Sequence, residues 1–246
     1  SPQPLADVKL DIRGLYKNSP VAAVGCLLIG VANGAWGTLG AVYGARADLS
    51  SGTVALMMSL VVLAGALAQV PVGRASDRTD RRYVLAAASF GAGLFGILMF
   101  LLTPRDLGAV LGITALYGAM AYTLYSIAVA HANDHASPED FVKVSGGLLF
   151  LYGFGTMIGP VIGAALMAGM RPESLFLATA APHVALGIYA LMRVRVRAPV
   201  PIEDREAFKT LPAERAVTTQ SSLLDPRSEG DAAHDEESVE LTPAEA

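Results

Sequence analysis

Few side chains in this chain could carry a proton or open a bond, and most of them gather at the ends of long apolar stretches. His131, Asp134 and His135 close one such stretch, and His183 lies inside another. Histidine titrates near physiological pH, so His131 is a candidate proton site or gate. A nucleophile is harder to find. Lys143-Val144-Ser145-Gly146 lacks the first glycine of a Gly-x-Ser-Gly turn, and the single cysteine, Cys26, sits in an apolar run with no partner for a disulfide or a thiolate cluster. There is no paired-histidine zinc motif, phosphate loop or haem histidine pair. These residues predict neither a catalytic centre nor a metal or cofactor site.

The other chemically dense stretch is Gly73-Arg74-Ala75-Ser76-Asp77-Arg78-Thr79-Asp80-Arg81-Arg82, a charged run between two apolar segments that hold almost no formal charge. Cations crowded into so short a connection mark the cytoplasmic side of a membrane protein. Lys9, Arg13 and Lys17 before the first apolar segment, Lys143 after the fourth, and Arg193, Arg195 and Arg197 after the sixth follow the same side. The alternate connections hold only Arg46, Arg105 and Arg171, so both termini are expected to be cytoplasmic.

The elements that must position these groups are six apolar segments, at about Pro20 to Ala45, Gly52 to Val72, Tyr83 to Leu102, Leu107 to Ala130, Val144 to Met170 and Ser174 to Met192. Crossing roughly 30 Å of hydrocarbon takes about 20 apolar residues in a helix. Every backbone N–H and C=O must be satisfied inside the lipid, and runs this long and this rich in Ala, Leu and Gly suit helices rather than barrel strands. The expected fold class is therefore all-α, an integral membrane six-helix bundle over residues 20–194.

Composition agrees, with 53% hydrophobic and 16% charged residues. The net charge of −4 is unevenly spread, because residues 195–246 carry 12 acidic and 6 basic side chains. That segment, with Pro199, Pro201, Pro212, Pro226 and Asp235-Glu236-Glu237, has too few large apolar residues to offset the entropy of ordering it, which predicts a disordered acidic cytoplasmic tail. Residues 1–19 read as a polar cytoplasmic linker without a signal peptide. Ser1 stands where an initiator Met would, which suggests a fragment or a processed product.

The run Gly73-x3-Asp77-Arg78-x-Asp80-Arg81-Arg82, placed between a second and a third helix, resembles the loop signature of the major facilitator superfamily. That family usually has Gly where this chain has Asp80, a departure that fits the weaker copy of the motif between its eighth and ninth helices. The residue types suit a conformational latch made of Gly73, Asp77, Arg78, Arg81 and Arg82. Gly73 allows a tight helix exit, Asp77 can sit against the N-terminus of another helix, and the arginines can pair with carboxylates in one state and release them in the other.

A second signature lies in the fifth segment, Gly146-x8-Gly155-x3-Gly159-Pro160-x2-Gly163-Ala164. It is similar to the Gly-Pro motif of drug and proton antiporters in the superfamily. Gly155, Gly159 and Gly163 allow close backbone approach, and Pro160 removes a helix hydrogen bond to the carbonyl of Thr156 and favours a kink.

The resemblance covers about Leu10 to Arg197 and implies one six-helix half of a twelve-helix transporter, the C-terminal one. It also implies a partner half on the N-terminal side, which would hold the coupling acid, and a central cavity lined by the first and fourth segments. Asn33, Trp36 and Tyr43 share one helical face of the first, and Tyr117 and Tyr125 are candidates in the fourth. The expected function is secondary active transport of a small organic solute or drug by alternating access, ion-coupled and directed toward efflux, in a bacterial inner membrane. The expected partners are that solute, protons, the lipid bilayer and the missing half, and not nucleic acid. A non-transporting scaffold or sensor and a dimeric half-transporter stay open, and an intramembrane enzyme is the reading these residues favour least.

Overall fold

The computed structural model describes residues 11–137, 140–196 and 201. Eight α-helices run through them: α1 (Ile12–Asn18), α2 (Pro20–Arg46), α3 (Ser51–Arg78), α4 (Arg81–Leu102), α5 (Leu107–Ala121), α6 (Leu124–Asn133), α7 (Phe141–Gly169) and α8 (Leu175–Val194). No strand occurs among the described residues. The chain forms six spans long and apolar enough to cross a membrane, with α5 and α6 together making the fourth and the turn Pro172–Ser174 leading into the last. This is the all-α membrane bundle that the apolar segments predict.

Side-chain caps start most of the spans. Ser19 accepts from the Ala22 amide at 3.4 Å ahead of Pro20, which as the first residue of α2 has no N–H to satisfy. Ser50 accepts from the Thr53 amide at 3.2 Å, Asp80 from the Arg82 amide at 3.0 Å and Asp106 from the Ala109 amide at 2.9 Å. Each relieves one of the unsatisfied donors at a helix start.

Three departures from the sequence expectation bear on function. The charged run is not mainly a loop: α3 continues through Pro71, Gly73 and Asp77 to Arg78, so only Thr79 and Asp80 separate it from α4. The fourth segment is not one helix either. It breaks at Tyr122 and Thr123, where the Thr123 hydroxyl donates to the Met120 carbonyl at 2.7 Å and draws that acceptor away from the helical ladder. Finally, part of the linker before the first span is the short helix α1, capped by Asp11 and docked through buried Leu15, whose side chain fills the notch above Gly147 on α7.

Small residues decide how the spans pair. A methyl added to Gly34 on α2 would lie 2.6 Å from the Thr156 Cα on α7, and one added to Gly155 would lie 2.8 Å from the Val31 amide nitrogen. Gly159 is tighter still, with the Val31 carbonyl directly against it and the Ala35 nitrogen at 2.8 Å from the same hypothetical methyl. Helices α2 and α7 therefore meet backbone to backbone, the packing mode that lipid favours because apolar side chains gain nothing there by leaving the bilayer. In the same way α4 and α8 join at Gly93, Gly96 and Gly187, and α3 and α5 at Gly65 and Gly118.

These pairings have a symmetry. Exchanging the first span with the fourth, the second with the fifth and the third with the sixth turns the α2/α7 pair into the α5/α3 pair and returns the α4/α8 pair to itself. That is the pattern a three-plus-three repeat would generate. Helix α2 lies at the centre, with most of its residues buried, and α3 lies at the rim with Leu56, Leu63, Leu67 and Val70 exposed.

Candidate functional site

Arg81 organises the charged end of the bundle. As the first residue of α4 it is 1% exposed, and its guanidinium reaches two other elements at once. Nη1 donates to Asp77 Oδ1 at 2.9 Å and to Ser76 Oγ at 3.2 Å near the end of α3. Nε and Nη2 donate to Asp134 Oδ2 and Oδ1 at 2.7 and 3.3 Å, a two-pronged contact with the residue that ends α6. Asp134 is as enclosed as Arg81, with a side chain 3% exposed, whereas that of Asp77 is 38% exposed. The buried pair is thus Arg81 with Asp134, and Asp77 assists it from the edge.

Arg82 forms a second bridge. It holds Asp80 through Nε at 3.0 and 3.1 Å and Nη2 at 2.6 Å, while Nη1 donates to the backbone carbonyl of Arg193 at 3.1 Å and so satisfies an acceptor at the end of α8. Burial alone would raise the Asp80 pKa, but the hydrogen bonds and charge of Arg82 outweigh it and hold that carboxyl below its ordinary value. Together the two arginines tie the ends of α3, α4, α6 and α8 to one another. Gly73 is buried on α3, whereas Arg78 and Arg74 are exposed. Within the expected latch, the structure therefore brings Asp77, Arg81 and Arg82 into the network and leaves Arg78 at the surface. The sequence reading did not pair Asp134 with the charged run, although its place just after the fourth segment, at the same end of the bundle, was a signal.

His131 is 7% exposed near the end of α6, and its ring packs edge-on against that of His135 with centroids 4.8 Å apart. The Nδ1 of His135 lies 2.9 Å from the His131 carbonyl.

The residues expected to line a cavity divide into two groups. Trp36, Tyr43 and Tyr117 are buried in the interior of the bundle. Trp36 stacks at 5.7 Å on both Tyr117 and Phe176, and Tyr43 meets Phe176 edge-on at 4.8 Å. Tyr117 of α5 and Phe176 of α8 thus pack against the face of α2 that carries Trp36 and Tyr43. Asn33 and Tyr125 belong to a different cluster. Asn33 Nδ2 donates to the Tyr152 hydroxyl at 3.4 Å, and the Tyr152 ring lies 4.9 Å from that of Tyr125. An amide and two phenols from α2, α6 and α7 thus converge, each retaining 7 or 8% exposure, and the Asn33 carbonyl oxygen has no hydrogen-bond partner. Such an orphan acceptor beside two aromatic rings can take a donor from a small organic molecule. Tyr152 was not foreseen. It lies three residues before Gly155 on a helix whose sequence signal is its glycines.

The Gly-Pro helix holds its expected residues in distinct surroundings. Gly155 and Gly159 face the α2 backbone, Gly163 faces the side chains of Leu39 and Leu175, and Pro160 lies inside α7. Thr156, whose carbonyl Pro160 deprives of a helical donor, turns its hydroxyl to the Gly153 carbonyl at 2.7 Å.

Comparison with known proteins converges with this geometry. The family model described as Major Facilitator Superfamily matches residues 17–229. The chain is 32% identical over 171 residues to a protein of Salmonella arizonae named "Uncharacterized MFS-type transporter YcaD", an alignment covering 70% of this chain and 43% of that protein. The protein of the same name from Salmonella paratyphi B is 31% identical over the same shares of both chains. The chain thus spans less than half the length of these curated relatives. Six membrane-spanning helices, small-residue pairing and a buried arginine network at the junction of the second and third spans fit that match, and the chain belongs to the Major Facilitator Superfamily.

Proposed function

We propose that this chain is the C-terminal six-helix half of a secondary carrier that moves a small organic solute across a bacterial inner membrane by alternating access, coupled to an ion such as the proton. On this reading residues 20–194 are the transmembrane unit, residues 1–19 are the linker from the other half, and 195–246 are a cytoplasmic tail, most of which lies outside the described residues. Both ends of the segment face the cytoplasm, in keeping with the excess of Arg and Lys at the charged end. The protein is a carrier and not an enzyme.

One observation carries the proposal. Arg81, almost wholly buried, is shared between Asp77 on α3 and Asp134 at the end of α6, so a single side chain couples spans from the two three-helix repeats. A contact of that kind stabilises one arrangement of the spans and must be surrendered in another, which is what a two-state carrier requires. The solute contacts assigned to this half are Asn33, Tyr125 and Tyr152, with Gly155, Gly159, Pro160 and Gly163 shaping the helix beside them. Direction is assigned to efflux on the likeness of the Gly-Pro helix to that of antiporters.

The test is reconstitution of the complete protein in liposomes with an imposed pH gradient, followed by measurement of the flux and the binding of lipophilic organic cations and dyes. Gradient-driven flux supports the reading. A solute that binds at the Asn33 cluster with no flux under any gradient would identify a scaffold or sensor instead.

A further inference from the structure

A small cleft opens at the charged end of the bundle, between the start of α2 (Ser19 and Pro20), Arg82, His131, His135 and Arg193. It has room for a single body of about the size of a water molecule, the scale of a monatomic ion and not of a phosphate. Four features of its wall point to the sign of that ion. First, α2 is 27 residues long and presents its N-terminus here. Ser19 occupies the Ala22 and Ala23 amides, and none of the hydrogen bonds among the described residues engages the Val21 amide, so the start of the helix keeps positive character. Second, Arg82 is 3% exposed and adds a guanidinium that pairs with Asp80 and lines the cleft. Third, Arg193 forms no ion pair among the described residues. Fourth, the His131 ring is more than nine-tenths buried, lines the cleft, and makes a ring contact with His135 but no hydrogen bond.

The acids nearby do not cancel this bias. Asp134 and Asp77 are engaged by Arg81, and Asp80 by Arg82, and among the described residues no carboxylate pairs with Arg193. A cation would be repelled, and a neutral water would leave the excess charge unmet. We propose that this cleft binds one monatomic anion, chloride in the cell, held between the Arg82 and Arg193 guanidiniums, the first turn of α2 and an N–H of His131.

The site is independent of the solute cluster at Asn33 and of whether the protein transports.

The experiment is chloride-35 NMR line broadening on the complete purified protein in gluconate buffer at fixed ionic strength, titrated with sodium chloride and competed with bromide. We expect saturable broadening that bromide reverses. Arg193→Gln should weaken it at least tenfold, and Lys143→Gln, outside the cleft, should leave it unchanged. Broadening equal in wild type and Arg193→Gln would overturn the assignment. If that variant does not insert, bromide-soaked crystals of the unaltered protein decide: an anomalous peak between Arg193 and His131 supports the site, and a cleft without one removes it.

Discussion

Replacing Asp134 by Asn tests the latch where the structure makes it strongest. The change keeps side-chain volume and one acceptor for Arg81 Nε but removes the charge from the enclosed partner, whose side chain is 3% exposed. Taking one partner from a buried ion pair costs about 3–5 kcal/mol. Here Asp77 still holds Nη1 at 2.9 Å, and an amide oxygen can still accept from Nε, so about 2 kcal/mol is the expected loss for the latched state. At about 1.4 kcal/mol per factor of ten, that shifts the balance between latched and open states roughly thirtyfold. Asp77→Asn should do less, about 0.5–1 kcal/mol, because its side chain is 38% exposed and the pair is partly screened. The assay is the alkylation rate of a single cysteine placed at the charged end of the complete carrier, with membrane insertion checked in parallel. Faster labelling in both variants, larger for Asp134→Asn, is the expected result. Equal labelling to wild type, or a larger effect from Asp77→Asn, would show that the Arg81–Asp134 pair does not distinguish the two states.

Three further outcomes are expected. Gly159→Ala should cost more than 2 kcal/mol or prevent assembly, since its methyl would collide with the α2 backbone, whereas Gly153→Ala, with open space around it, should be neutral or mildly stabilising; thermal aggregation of the two variants in detergent compares them directly. Because the folded-state pKa of Asp80 lies below its unfolded value, its pairing contributes stability above that unfolded value, about 3.9, and loses it as pH falls through the lower folded one. Asp80→Asn should therefore be less stable than wild type at pH 6 and converge with it toward pH 3 in unfolding midpoints. Asn33→Ala and Tyr152→Phe should weaken solute binding by comparable factors and show less than additive loss together, because they share one hydrogen bond; full additivity in equilibrium binding would separate them.

The six spans were legible because lipid imposes a length and a composition that local sequence must meet on its own. Their ends were less legible. Apolar runs stop where charge begins, yet α3 carries Arg74, Asp77 and Arg78 on helical turns beyond its apolar stretch, since charge at a membrane surface does not end a helix. The break at Thr123 was hidden for the opposite reason: hydropathy passes through it unchanged, and the bond from its hydroxyl to a backbone carbonyl leaves no mark in the apolar pattern. Pairings were the hardest to foresee. Arg81 and Asp134 are far apart in the chain, and Tyr152 meets Asn33 only because glycines on both helices let α2 and α7 close together. Periodicity places Trp36 and Tyr43 on a common face of α2, but it could not say that Tyr117 and Phe176 would pack against that face.

The glycine contact between α2 and α7 sets the mechanics of the bundle. Side chains in an ordinary interface can change rotamer and so absorb sliding, but Gly30, Gly34, Gly155 and Gly159 have none to change. The two helices are therefore geared like meshed teeth, free to tilt as one stave and barred from slipping past each other. Bending is easier on the neighbouring span, where Tyr122 and Thr123 have already interrupted the helix and fewer hydrogen bonds need to break. The bundle thus couples a stiff central beam to a jointed strut, and a force applied at Asp134, on the short arm beyond that joint, acts on the joint with the whole length of α6 as its lever.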